Sequence, residues 1–299
     1  MRILFMALMM MLLAVSTASA AVYRQGVVYI IYNEEGIASP NDKADINSNG
    51  VPDRIEDIAT QINAARELFK DVFKFPDPLG SDRFKNVTSI EVDIGAKTIM
   101  KANGFSMSAV RKKSKHDPNE RALRIKIANT VNPHKNSTPA HEYFHQVQYG
   151  MTYFCNKWFL EGMARWSQDS VLKIKKYPDG KDISQVLDNE DYEEELFQGK
   201  YNTAGTLWYP LAVAMNDKQK IPDRLIKKYK CVDGMPVFKD NIIYGPNVML
   251  KVLQTMKANE YLAIKEFGDM KQWRRKGRLD KRNNKIILNC VREVYNAKK

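Results

Sequence analysis

The pattern richest in chemistry lies between Ser137 and Gly150, where His141, Glu142 and His145 form His-Glu-x-x-His. Residues four apart share one face of a helix, so the two imidazoles project side by side and can hold one divalent cation. Glu142 is then placed to take a proton from water at that ion. Only four histidines occur in the chain, and this pattern uses two of them. The competing interpretation is a pair of surface histidines on an ordinary amphipathic helix. The flanks favour a helix in either case: Ser137 or Thr138 can cap it, Pro139 suits its first turn, and Gly150 suits its stop.

Two histidines leave a cation short of ligands, so a third must come from elsewhere. A metzincin pattern needs glycine and histidine where this chain has Gln148 and Met151, which excludes that arrangement. Downstream, Glu161 stands among Trp158, Phe159, Leu160, Met163 and Trp166, the marks of a buried helix. A carboxylate in that setting is costly unless a cation or hydrogen bonds compensate it. His141, His145 and Glu161 as zinc ligands leave one position open for water, as a catalytic site requires. The alternative for Glu161 is a salt bridge to a nearby Arg or Lys. Asp169, two turns further on, is a candidate acceptor for the outer N–H of a zinc histidine.

His-Glu-x-x-His followed shortly by the Trp158–Ala164 run resembles the gluzincin (thermolysin-like) zinc metallopeptidases. More narrowly, it is similar to secreted bacterial metalloproteases whose zinc helix follows a calcium-loop signature. The resemblance spans about Val27 to Leu211; the last third carries no recognised motif. It implies an α+β, zincin-like catalytic domain, with a small mixed or antiparallel sheet and active-site helices, that hydrolyses peptide bonds with Glu142 as general base. It also implies an edge strand on which extended peptide lies, for which residues 121–128 are the candidate. A donor near the developing oxyanion is implied as well, with Tyr201 the first candidate and Arg165 the second.

The calcium signature runs from Asp45 to Glu56. Asp45, Asn47, Asn49, Val51 (through its carbonyl), Asp53 and Glu56 fall at the ligand positions of an EF-hand loop, with Gly50 at its sharp turn. A polar turn without an ion is the alternative. Apolar residues from Ile55 to Phe73 recur at helical spacing, so a bound Ca2+ would staple the start of that helix.

One basic residue, an apolar run and Ala18-x-Ala20 predict a cleavable export signal over residues 1–20, hence a secreted or otherwise extracytoplasmic protein. Residues 21–215 then form the metallopeptidase domain and 216–299 a mainly helical C-terminal subdomain. Cys155, Cys231 and Cys290 allow one bridge and one free thiol in three pairings, of which Cys231–Cys290 is preferred because both lie late in the chain. The net charge of +12, less one with Arg2, favours anionic surfaces, and its densest run is residues 271–282. No nucleic-acid signature accompanies it.

Val27 to Tyr32 reads as a buried strand. The alternations at 90–94 and 123–127 predict two half-buried strands whose opposite charges suit antiparallel neighbours. Residues 97–120 read as a mobile loop over the cleft, and 188–195 as a solvated acidic loop. Besides a protein or peptide hydrolase, two further readings fit the sequence. One is an inactive zinc- and calcium-binding adhesion protein, the other a calcium-stapled module without zinc.

Overall fold

The computed structural model describes residues 20–171, 182–267 and 275–297. The export signal, apart from Ala20, and part of the basic 271–282 run lie outside the described residues. The chain is α+β. Strands β1 (Ala20–Gln25) and β2 (Val28–Asn33) form a hairpin, and a loop leads to helix α1 (Asp53–Glu67), which continues as a π-helical turn at Leu68–Val72. Strand β3 (Ser89–Gly95), the short helix α2 (Lys97–Met100), β4 (Gly104–Arg111) and β5 (Ala122–Ala128) follow. The five strands lie in the order β1-β2-β3-β5-β4.

Two expectations are corrected here. The 90–94 and 123–127 strands are neighbours, and Glu91 faces Arg124 while Asp93 faces Lys126, but β3 and β5 run parallel. Charge complementarity sets which residues face each other and is blind to strand direction. The direction follows from the chain path, because β4 makes the antiparallel return beside β5. The segment 97–120 is therefore no mobile loop: it supplies β4, and residues after Arg111 fold across the polar face of the sheet. There Arg111 pairs with Glu91 and Asp93, Lys115 with Asp93, and the His116 ring stacks on Tyr29 with centroids 3.5 Å apart. Glu91 is fully buried by this cover.

The apolar face carries Ile90, Val92, Leu123, Ile125 and Ile127, all buried, and receives α1 and helix α3 (Thr138–Met151). Helix α4 (Lys157–Ser167) packs on α3. The chain then runs through α5 (Ile183–Asp188), α6 (Asp191–Gln198), a π-turn at Ala204–Trp208, α7 (Tyr209–Ala214) and α8 (Asp223–Lys228). A small ribbon of β6 (Lys218–Lys220) and β7 (Ile242–Tyr244) is followed by α9 (Pro246–Ala258), α10 (Glu260–Phe267), α11 (Arg275–Arg278) and α12 (Asn283–Asn296).

One continuous apolar cluster extends from Val28 to Val294. The predicted acidic loop is helical, with Glu193 of α6 buried and paired to Arg292 of α12 at 2.9 Å. No disulfide forms among Cys155, Cys231 and Cys290, all three buried, so the preferred Cys231–Cys290 bridge is overturned. Cys290 belongs to α12, whereas Cys231 is drawn to the side chain of Asp57 on α1. Among the described residues no helix is long and apolar enough to cross a membrane.

Candidate metal centre

Helix α3 positions two of the donors, and its start is set by neighbouring side chains more than by its own. Ser137 and Thr138 make no capping bond through their side chains to the helix; the Asn136 Oδ1 accepts the Thr138 N–H at 2.8 Å instead. Gln61 of α1 accepts the Ala140 N–H at 3.2 Å and donates to the carbonyls of Pro133 and Asn136. Gly150 does not stop the helix, which runs on to Met151; a Cβ there would meet the Pro78 backbone at 3.4 Å. Beneath the helix, Phe144 packs against Phe69, Phe75 and Trp166 at centroid separations of 4.8, 5.8 and 5.7 Å. Burying a side chain of this size stabilises by about 1.5–3 kcal/mol and leaves the helix little freedom to rotate.

Helix α4 supplies the third donor and is braced by the last third of the chain. Trp158 Nε1 donates to Asn284 Oδ1 at 2.9 Å, and Trp166 Nε1 to the Tyr244 carbonyl at 2.7 Å. Gly162 lets the 200–208 segment close in, since a Cβ there would lie 1.9 Å from Thr203 Oγ1.

The three sequence-predicted zinc ligands converge. Glu161 Oε2 is 3.3 Å from His141 Nε2 and 3.6 Å from His145 Nε2, and the three donor atoms all lie within 4.8 Å of one another. Ligands about 2.0–2.1 Å from a tetrahedral zinc ion stand about 3.3 Å apart, so the donor set fits that ion. The outer Nδ1 atoms meet glutamines, where Asp169 was expected. His141 Nδ1 is 3.0 Å from Gln168 Nε2, and His145 Nδ1 is 2.8 Å from Gln148 Oε1.

Gln148 settles a tautomer. Its Nε2 donates to the Leu160 carbonyl at 3.2 Å, so its Oε1 must accept from His145 Nδ1–H. In the neutral imidazole, Nε2 then presents a lone pair to the Glu161 carboxylate. Two acceptors at that distance need a cation between them, either a proton or a metal ion.

The electrostatics fit this picture. Burial pulls His141 down to about 4, against the opposing effect of donating a hydrogen bond to Glu161. Burial would lower His145 too, but the hydrogen bond to Glu161 and the charges of Glu142 and Glu161 raise it. Burial opposes ionisation of Glu161, yet its bonds to the two histidines hold it well below the usual carboxylate range. Glu142, 5% exposed, is pushed up to about 7 by burial and by Glu161, with His145 opposing. That value suits a group that must accept and return a proton near neutrality.

Tyr201 lies at the mouth of the site. Its ring centroid is 6.0 Å from that of His141, and burial together with Glu161 and Glu142 raises the phenol to about 12, keeping it a proton donor. Arg165 is exposed on α4.

Two features escaped the sequence reading. The edge of the sheet beside the site is β4; β5, which contains the 121–128 candidate, is interior, paired on both sides. Gly104, the first residue of β4, lies so close to the site that a Cβ would fall 2.6 Å from both Glu142 Oε1 and Thr138 Cγ2. Gln146 of α3 fixes that strand by donating to Ser106 Oγ at 2.5 Å.

In the 45–56 loop the side chains of Asp45, Asn47, Asn49, Asp53 and Glu56 hydrogen-bond within the loop. Glu56 Oε1 and Oε2 each accept from an amide, of Asn49 and Asn47, at 2.9 Å. Asp45 accepts the N–H groups of Asn49 and Gly50, and Asp53 that of Ile46. Gly50, at φ +83°, makes the left-handed turn expected of it. Rotating the two asparagine amides exchanges donor for acceptor, so the same side chains suit a calcium ion.

Comparison with protein-family models, with curated proteins and with solved structures gives no match.

Proposed function

We propose that this chain is an exported zinc endopeptidase of the gluzincin type, with His141, His145 and Glu161 as ligands and Glu142 as general base. The observation that carries the reading is the convergence of three donor atoms from α3 and α4 beside the buried carboxyl group of Glu142. Zinc held there would lower the pKa of water and polarise a peptide carbonyl. Glu142 takes the proton of the attacking water at its carboxylate and returns it to the leaving amine. Tyr201 donates its hydroxyl proton toward the developing oxyanion. The free edge of β4 offers backbone groups to an extended peptide, and the absence of a side chain at Gly104 lets that strand and Glu142 lie together.

The zincin-like character of the fold, the 21–215 and 216–299 division, and the role of Ca2+ in fixing the start of α1 belong to the same reading. So does attachment to anionic surfaces through the basic C-terminal face. Retention of Glu142 beside all three ligands favours an enzyme over an inactive binding protein. Cleavage of denatured casein should stop after zinc chelation in saturating Ca2+ and return on adding Zn2+. Zinc binding without cleavage would select the adhesion protein, and the absence of zinc uptake the calcium-stapled module.

A further inference from the structure

We propose that Asp57, His134 and Cys231 form a second transition-metal site, built for Zn2+. Their donor atoms, one oxygen, one nitrogen and one sulfur, all lie within 4.8 Å of one another. They come from α1, from the turn that leads into α3, and from the turn after α8.

Two of the three donors, Asp57 and His134, are aimed by a contact on the outer side. Asp57 Oδ2 stands 2.8 Å from His134 Nε2, while Asp57 Oδ1 accepts the Val232 N–H at 2.8 Å. The other ring nitrogen of His134, Nδ1, faces Asp233 Oδ2 at 3.5 Å. A histidine whose outer nitrogen meets a carboxylate while its inner nitrogen turns to a donor cluster is the common arrangement at zinc. Asp57 is 1% exposed and Cys231 6% exposed. A carboxylate that deep needs a compensating cation. A proton on His134 and the S–H of Cys231 together satisfy Asp57 without an ion; a bound metal would displace both protons and take all three donors at once.

The mixed donor set selects the metal. Calcium and magnesium take oxygen ligands, whereas zinc accepts imidazole, thiolate and carboxylate together. A cavity of about 430 Å³ bordered by Asp57, His134 and Asp233 provides an entry path and room for water as a fourth ligand. An ion here would tie together the helix that follows the calcium loop, the turn that precedes His141, and the C-terminal third.

Sulfur makes the site separable from the first centre, which contains none. The purified chain, stripped of metal and titrated with Co2+ in saturating Ca2+, should take two equivalents. One of them should bring a near-ultraviolet sulfur-to-cobalt charge-transfer band. Cys231→Ser should lose that band and one equivalent. A Cys155→Ser, Cys290→Ser double variant should keep both, which assigns the sulfur without touching Cys231. A wild-type chain that shows no such band, a band that survives Cys231→Ser, or one lost in the double variant would overturn the site.

Discussion

The two donor clusters are put together in opposite ways. His141 and His145 sit one turn apart on a single helix, and Glu161 follows on the next, braced through Gln148 and Leu160. Asp57, His134 and Cys231 come from three separate segments, the first two of them 77 positions apart. The first cluster is a consequence of helical periodicity. The second exists only because tertiary packing brings α1, a turn and a late loop to one point. A site of the first kind is sensitive to the supports of its helix, while one of the second kind also acts as a clasp between the segments it joins.

The comparison can be broken at several places, and the largest effect is expected at Glu161. Glu161→Gln should abolish measurable casein cleavage and the sulfur-free equivalent of Co2+, yet leave the charge-transfer band of the other cluster intact. Loss of both equivalents would mean that the two sites are not independent. Gly104→Ala comes next. A Cβ placed 2.6 Å from Glu142 Oε1 must displace that carboxylate, and misplacement of a reacting group by about 1 Å can cost about 100-fold in rate. Zinc content should be unchanged, since Gly104 touches none of the ligand side chains through a side chain of its own.

Gln148→Ala should weaken zinc binding by about 10- to 100-fold, the usual consequence of freeing a ligand histidine, with cobalt at the sulfur-containing site unaffected. Competition against a chelator of known affinity measures it. The smallest effect is expected at Glu67, where α1 meets α8. Burial would raise this carboxyl, but the hydrogen bonds from Lys228, Tyr229 and Arg224 outweigh it and hold the pKa down to about 2, below its ordinary 4.5. Its contribution is therefore present above pH 4.5 and lost as the pH falls through about 2. Because Arg224 and Lys228 are more than half exposed, it amounts to at most about 1 kcal/mol. Thermal unfolding of Glu67→Gln against the parent, followed from pH 7 down to 2, should show the difference closing with acid.

The same contrast explains how much was legible in the sequence. The closeness of His141 and His145 was legible from their spacing on one helix, and the left-handed turn at Gly50 from the loop pattern, while Glu161 was legible as a carboxylate in an apolar helix. The helix beginning near Ile55 was legible from apolar periodicity. Strand β4 was not, because an edge strand lacks strict alternation: Phe105 is 43% exposed and no residue of β4 is fully buried. Parallel pairing of β3 and β5 was hidden for a related reason, since Glu91 and Arg124 would attract each other in either direction. Charge alone favours Asp169 as the partner of a ring nitrogen, but the helix geometry presents Gln168 to His141 and Gln148 to His145. The Asp57 cluster left no local signal at all, and Cys231 was assigned to a disulfide for want of knowing its neighbours.

The central claim, that Glu142 works as the base beside a zinc ion held by His141, His145 and Glu161, is tested most directly by one paired measurement on Glu142→Gln. Zinc content and the rate of casein cleavage are determined on the same preparation. The expected result is unchanged zinc and a rate lower by about 10²- to 10⁴-fold. Undiminished cleavage with zinc in place would contradict it.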